Sequence, residues 1–348
     1  PHPKLPRQQR GIAILSVLVI AVLIVTLAAV VFARQSRAVR QTDNFQSLER
    51  AWQYVFMMEQ YAGLQLQLDA KDNTYDALTD RWAYTLPTQT LTEESGAIVK
   101  FTGKLEDLQG RFNLNNLVLR ADNQPQQGAY DGKVYEQLKV FVTNAGLPAE
   151  FTDVIVDWVD SNQLPLSANG AERDYYLSGG TPYLPADGQF ADPSEIRLLR
   201  LEQLPAQDKE AALQRFMQTI TTLPFYTTIN PNTASKDVLK ALRLRDNQIA
   251  LILDKRKLKQ AYRSKAEFNQ EMAFTPGKDD VLMNSFDVTT QYFRLTGEVQ
   301  INRARVFVNS LLLRDPKGAV RVIMRQFDRV NEQPITTNDA SNTPTNTE

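Results

Sequence analysis

The run Ile12–Ala33, IAILSVLVIAVLIVTLAAVVFA, is apolar at 20 of its 22 positions, with Ser16 and Thr26 as the exceptions. At ~1.5 Å per residue a helix of this length extends roughly 33 Å, enough to cross the hydrocarbon of a bilayer. A helix lying on a soluble core would carry a polar face, and this run carries none. It is therefore a membrane segment, and the rest of the chain must fold beside it. A cleaved secretory signal, with its apolar core of ~7–15 residues, is shorter than this run, although Ala28-Ala29 and Ala33 would suit such a cut. Three bases precede the run (Lys4, Arg7, Arg10) and three follow it (Arg34, Arg37, Arg40), so flanking charge does not orient it.

Past Ala33 the helical pattern becomes one-sided. Phe45, Leu48, Trp52, Val55, Glu59 and Ala62 recur at spacings of three and four, and all but Glu59 can line an apolar stripe. Gly63 is the expected stop. The reading is one helix over 12–65 that spans a membrane and then packs on a soluble domain. Before it stands Gln8-Gln9-Arg10-Gly11, a short basic leader ending in Gly. This resembles the prepilin class of signals, in which a prepilin peptidase cuts after the Gly. Residues 1–11 would then be the leader, with Gly11 and Ile12 flanking the cut and Ile12 the new, N-methylated terminus. A uniformly apolar half followed by a one-sided half is also the layout of a type IV pilin or pseudopilin.

Composition narrows the chemistry. The chain has 348 residues, no Cys, and a single His at position 2 in a Pro-rich stretch. Disulfides, thiolate nucleophiles, Cys-ligated zinc and His-based triads or metal centres are excluded. Carboxylates, hydroxyls, Lys and Arg remain, so the default is a binding or assembly protein. The near-neutral total hides two asymmetries: residues 1–40 hold six Lys and Arg and no acid, and residues 151–195 hold eight acids against Arg173.

After the helix, 64–86 reads as a polar connector and 87–94 as a loop, followed by a strand over 97–105. The segment Glu106–Leu117, with Gly110 and three Asn, suits a turn. Amphipathic helices are expected over 135–145, 149–159, 194–199, 207–223, 235–243 and 247–259. Three β-rich runs close the fold, 292–299, 304–313 and 319–327, the last two joined by Asp315-Pro316-Lys317-Gly318 as an antiparallel meander. The tail 331–348, rich in Thr, Asn and Pro, is expected to be disordered.

Several of these segments together resemble the GspK family, minor pseudopilin K of the type II secretion system. They are Arg10-Gly11 with its apolar helix, Asp107-Leu108-Gln109-Gly110-Arg111-Phe112-Asn113-Leu114-Asn115-Asn116-Leu117, Asp157-Trp158-Val159-Asp160 with Glu172-Arg173-Asp174-Tyr175-Tyr176, and Ile229-Asn230-Pro231-Asn232-Thr233-Ala234. The resemblance implies an α+β, type IV pilin-like fold: a long N-terminal helix packed on an antiparallel sheet, with a large inserted α-helical domain. Residues 66–124 and 285–330 would form the pilin-like part and 125–284 the insertion. It implies a place at the tip of a periplasmic pseudopilus with the minor pseudopilins GspI and GspJ, and contact with GspH and the major pseudopilin GspG. The precursor would sit in the bacterial inner membrane as a single-pass protein. Most pilins carry Glu five residues after the cut, where this chain has Ser16. A subunit with none ahead of it has no terminal amine to neutralise; a plain anchor that never polymerises would lack the Glu equally well.

The acidic segment brackets an Asn-, Ser-, Gly- and Pro-rich loop with Asp157, Asp160, Glu172 and Asp174. Such carboxylates with loop carbonyls suit Ca²⁺, which takes 6–8 oxygens, and equally suit a solvated acidic loop. The EF-hand spacing is missing. Resemblance to the GspK family, whose inserted domain binds calcium, favours the metal, with Asn169 as a further ligand and a structural role. Asp157, on the preceding helix, is the member that could instead cap or pair.

Two other classes compete. Ile229–Ser235 resembles the opening of a helix-hairpin-helix DNA-binding unit, but the corresponding turn, Arg243-Leu244-Arg245-Asp246-Asn247, has no Gly to let backbone N–H groups approach phosphate. No nucleic acid is expected as a partner, and Asn232 or Thr233 is expected to cap the following helix. Paired carboxylates could also serve glycoside hydrolysis, yet no aromatic-lined cleft is evident around them. The reading is a non-enzymatic minor pseudopilin.

Overall fold

The computed structural model describes residues 9–120, 130–202, 204, 208–302 and 304–328; most of the expected leader and the tail 331–348 lie outside them. In chain order the elements are α1 (Gln9–Asp72), β1 (Leu86–Thr92), β2 (Ile98–Asp107), β3 (Phe112–Asn113), α2 (Gly132–Asn144), α3 (Phe151–Val159) and α4 (Arg173–Leu177). There follow α5 (Lys209–Thr219), β4 (Ile220–Thr221), α6 (Lys236–Ala241), α7 (Asp246–Lys257), α8 (Lys265–Glu271), α9 (Asp280–Ser285), β5 (Tyr292–Ile301), β6 (Ala304–Arg314) and β7 (Val320–Asp328).

The helix α1 runs unbroken through 64 residues. Its apolar lower part is exposed at every large side chain from Ile14 to Phe32, while Ala51, Val55, Met58, Ala62 and Leu66 higher up are buried. It does not stop at Gly63. Leu66 is fully buried beyond that point and Asp69 is tied to the sheet, so packing outweighs the ~1 kcal/mol that a helical Gly costs.

The sheet has five antiparallel strands in the order β1-β2-β5-β6-β7. Period-two alternation aims Phe293, Leu295, Val299 and Ile301 of β5 and Val306, Val308 and Leu312 of β6 at α1, with which they form one core. Residues 87–92, expected in a loop, are part of the edge strand β1. Pro87 is tolerated because the strand's outer edge is unpaired, and exposure of Pro87–Thr92 hides the alternation that marks a half-buried strand.

The α-helical domain leaves the sheet after β2 and returns at β5, two strands that pair directly across nine positions from Val99↔Ile301 to Asp107↔Phe293. Its start lies earlier than the expected residue 125. Phe112, Leu114 and Leu117 pack in the helical domain's core with Phe141, Phe151, Trp158 and Phe216. The reason is the Asn cluster: Nδ2 of Asn113, Asn115 and Asn116 donates to the carbonyls of Phe225 (2.9 Å), Leu223 (3.1 Å) and Thr227 (2.8 Å), stitching this segment to the far end of the insertion.

A buried polar junction joins the two domains. Asp107 Oδ2 accepts from Thr233 Oγ1 (2.6 Å), Thr290 Oγ1 (2.7 Å) and Asn230 Nδ2 (3.0 Å). Asn232 donates to the carbonyls of Asp76 and Tyr262. Neither Asn232 nor Thr233 caps the next helix, since both are used here; Ser235 caps α6, its Oγ accepting from Val238 N at 3.2 Å.

Candidate functional site

Helix α3, FTDVIVDWV, is buried at all nine positions. Asp157 sits in its last turn, where the carbonyl end of the helix disfavours a carboxylate. The following loop compensates: Leu166 N (3.0 Å) and Ala171 N (2.8 Å) donate to the two oxygens of Asp157. Gly170 permits the approach, because a Cβ there would lie 2.1 Å from Asp157 Oδ2. Asp160 is the C-cap of α3 and accepts from Asn162 N at 3.1 Å; Glu172 is the N-cap residue of α4. Loop 161–171 thus closes a circuit that brings carboxylate oxygens of Asp157, Asp160 and Glu172 within 4.8 Å of one another, all three residues being buried.

Trp158 backs the trio in an aromatic cluster with Tyr176, Tyr183 and Phe190. Asp174, the fourth expected ligand, is not brought in; it lies on the first turn of α4 with its side chain exposed. Asp187 is the acid that sequence reasoning missed. Fourteen residues downstream of Arg173, it adds its charge to both Asp160 and Glu172, and only the folded loop reveals this.

The trio has no ion-pair partner among the described residues. Burial pushes Glu172 up to about 8, reinforced by the charges of Asp157, Asp160 and Asp187. Burial pushes Asp160 up to about 6, with Asp157 and Asp187 adding, and raises Asp157 as well. Both oxygens of Glu172 are shielded and take no hydrogen bond among the described residues. A hard cation placed among these oxygens would remove both faults, and loop carbonyls could complete an oxygen shell of the kind calcium accepts.

A second trio, Asp69, Asp76 and Asp80, has the same 4.8 Å closeness. Here the cation is already part of the protein. Arg314 Nη2 donates to both oxygens of Asp76 at 2.6 Å, and Nη1 to Asp69 at 3.3 Å. The contrast isolates the first trio as the one that lacks a positive partner among the described residues.

Comparison with known proteins places this geometry. A family model described as type II secretion system (T2SS), protein K matches residues 110–224, the stretch that carries the trio. The type II secretion system protein K of Pseudomonas aeruginosa is 30% identical over 332 residues, covering 92% of this chain and 93% of that protein. The chain belongs to the type II secretion system protein K family. The protein K of Klebsiella pneumoniae is 29% identical over 329 residues, covering 92% of this chain and 97% of its own. One chain of a crystal structure, that of the GspK-GspI-GspJ complex from the enterotoxigenic Escherichia coli type 2 secretion system, superposes with a TM-score of 0.70. It is 22% identical, and the match covers 83% of this chain and all of that one. The fold is therefore the protein K fold: a pilin-like helix and sheet carrying an inserted helical domain. As a protein K, the chain is a minor pseudopilin, in a family of structural pseudopilins rather than enzymes, and α1 fits a single-pass anchor. These matches favour the pseudopilin over the DNA-binding alternative.

Proposed function

We propose that this protein K is held in the bacterial inner membrane with its soluble domains in the periplasm, is cut after Gly11 by a prepilin peptidase, and then caps the pseudopilus tip with GspI and GspJ. GspH and the major pseudopilin GspG would lie below them. The observation that carries the reading is the two-part surface of α1. Its lower part exposes apolar side chains all round, and its upper part packs one stripe on the sheet while leaving Phe56, Met57, Tyr61 and Leu64 exposed by 44–51%. A bilayer covers the first surface and neighbouring helices cover both, so moving from lipid into a helical bundle keeps apolar area out of water throughout. The bulk of the inserted domain then blocks addition of a further subunit above it. Mixing the soluble part of this chain with those of GspI and GspJ should give a stable ternary complex on size exclusion; three separate peaks would reject the proposal.

The carboxylate trio is assigned to a structural Ca²⁺, supported by the orphaned oxygens of Glu172 and by the lack of any ion pair to the trio among the described residues. Bound calcium would supply positive charge that fastens loop 161–171 to α3 and α4, and no catalytic role is assigned to it. Trp158 lies beside Asp157 and should sensitise luminescence of Tb³⁺ bound at the trio. Calcium should displace the terbium, and Glu172→Gln should abolish the signal. Equal luminescence from the Glu172→Gln protein would reject the site.

A further inference from the structure

The arginines Arg34, Arg37 and Arg40 have no role in the fold. All three are exposed, and none makes an ion pair or hydrogen bond among the described residues. No acid precedes them; the first in the chain is Asp43. They begin where the apolar run ends at Ala33, so a rise of ~1.5 Å per residue puts their backbones about 1.5, 6 and 10.5 Å above the hydrocarbon edge. The headgroup layer of one leaflet is about 5–8 Å thick. Long, flexible side chains bring all three guanidinium groups into that layer.

Their direction round the helix centres on the side that faces the globular body. At 100° per residue, Trp52, Val55 and Met58 stand five whole turns above Arg34, Arg37 and Arg40. Val55 and Met58 are buried against the sheet. The arginines thus lie on the side of α1 that faces beneath the globular body. Phe56, Met57, Tyr61 and Leu64, the exposed apolar stripe, point about 100–180° away from Arg37. Helices docking on that stripe would leave Arg37 uncovered, whereas Arg34 stands about 40° from Phe56 and Arg40 about 60° from Tyr61. In the body itself, Glu93 at the β1–β2 turn is already engaged by Arg50 (2.7 Å) and Tyr54 (3.1 Å).

We propose that Arg34, Arg37 and Arg40 form a collar that binds the phosphates of anionic glycerophospholipids in the periplasmic leaflet, fixing the depth of α1 before assembly. The inference rests on the anchored reading of α1 given above. Guanidinium groups pair with phosphate oxygens through charge-assisted hydrogen bonds. Once the leader is removed, Lys4, Arg7 and Arg10 go with it, and the collar is the only basic cluster left beside the membrane. Such a collar runs against the usual cytoplasmic bias of Lys and Arg, so it needs a local anion to account for its position.

The test uses the chain cut after Gly11, which lacks Lys4, Arg7 and Arg10, in nanodiscs of phosphatidylcholine and phosphatidylglycerol at 7:3, with retained lipids counted by native mass spectrometry. The wild-type chain should retain phosphatidylglycerol over phosphatidylcholine, by about a hundredfold in summed affinity at low salt for three basic contacts. The triple variant Arg34→Gln/Arg37→Gln/Arg40→Gln should lose this preference, and the triple Arg→Lys variant should keep most of it. Equal retention of both lipids by the wild-type chain would overturn the collar, as would an unchanged preference in the Gln variant. So would a Gln variant that keeps its lipids but loses GspI and GspJ, since that assigns the arginines to a protein partner. Failure of the chain to enter the disc would overturn the anchor reading and the collar together, which distinguishes the two.

Discussion

Glu59 in α1 and Arg325 in β7 lie 266 residues apart and are joined by two hydrogen bonds, Nε to Oε1 at 2.7 Å and Nη2 to Oε2 at 2.8 Å. Ser310 of β6 donates to the same carboxylate at 2.6 Å. Glu59, the one position that breaks the apolar stripe of the helix, thus clamps α1 to the last two strands. The Glu59 side chain is 2% exposed and that of Arg325 39%, so the two partners are not equivalent. Arg325→Ala leaves a buried, unpaired carboxylate and should cost about 3 kcal/mol; Glu59→Gln, which leaves a half-exposed arginine, should cost nearer 1 kcal/mol. Urea denaturation of the soluble domains checks the order, and equal losses would contradict it.

A notch in the sheet seats Met58. Gly103 of β2 and Gly297 of β5 face each other in register, and a Cβ on either would meet Met58 Cε, at 2.8 and 2.6 Å. Gly297→Ala should destabilise by about 1–3 kcal/mol through overpacking, and Met58→Ala should recover part of that loss in the double variant. Strictly additive losses in a double-mutant cycle would mean that the notch is not what holds Met58.

Three helices of the inserted domain end in left-handed residues that are not glycine: Arg243 (φ 62°) after α6, Lys259 (φ 56°) after α7 and Ala273 (φ 52°) after α8. Each closes the helix by paired backbone bonds, as when Leu244 N reaches Leu239 O, Gln260 N reaches Lys255 O and Phe274 N reaches Asn269 O. Gly is free of the Cβ penalty there, so Arg243→Gly, Lys259→Gly and Ala273→Gly should each stabilise by roughly 0.5–1 kcal/mol. Lower melting temperatures in all three would contradict the assignment. The α6–α7 turn therefore turns without Gly by straining Arg243.

The buried junction makes stability depend on pH. Burial pushes Asp80 up to about 6, and Asp69 adds to it while Ala77 N pulls back; burial likewise pushes Asp76 up to about 7 against the pull of Arg314. Folded values above the unfolded one near 4 mean that these groups stabilise fully below pH 4 and lose that contribution as pH rises through 6 and 7. Burial also raises Glu106, but Arg111 and Arg294 outweigh it and hold it near 2, so its opposite effect is confined to acid below about pH 4.5. Asp80→Asn should gain on the wild type by roughly 1 kcal/mol between pH 5 and pH 8, measured with calcium saturating. A pH-independent difference between the two proteins would remove Asp80 from the account.

What the sequence shows locally, the structure keeps. The anchor helix is legible because Ile12–Ala33 is uniformly apolar, and β5, β6 and β7 because their inward residues alternate. The acidic loop is legible because Asp157, Asp160 and Glu172 bracket it. What escapes are features fixed by distant partners. Strand β1 has no inward apolar alternation, being exposed on both faces. Asp76 and Asp80 lie in a stretch that the sequence shows only as a polar connector, and Arg314, some 240 residues away, is folded against Asp76. Asp174 looks like a ligand by spacing, but two residues of helix turn it away from Glu172. The helical domain begins before residue 125 because the Asn113–Asn116 amides find carbonyls more than 100 residues downstream.

The central claim, that α1 exchanges lipid for neighbouring helices along its exposed stripe, is tested most directly by disulfide trapping in cells. The chain has no Cys, so a single introduced one has no internal competitor. Tyr61→Cys, on the exposed stripe, should form heterodimers with the N-terminal helices of GspI or GspJ carrying matched cysteines, while Val55→Cys, fully buried against the sheet, should form none. Absence of any crosslink from Tyr61→Cys, or equal crosslinking from Val55→Cys, would contradict the account.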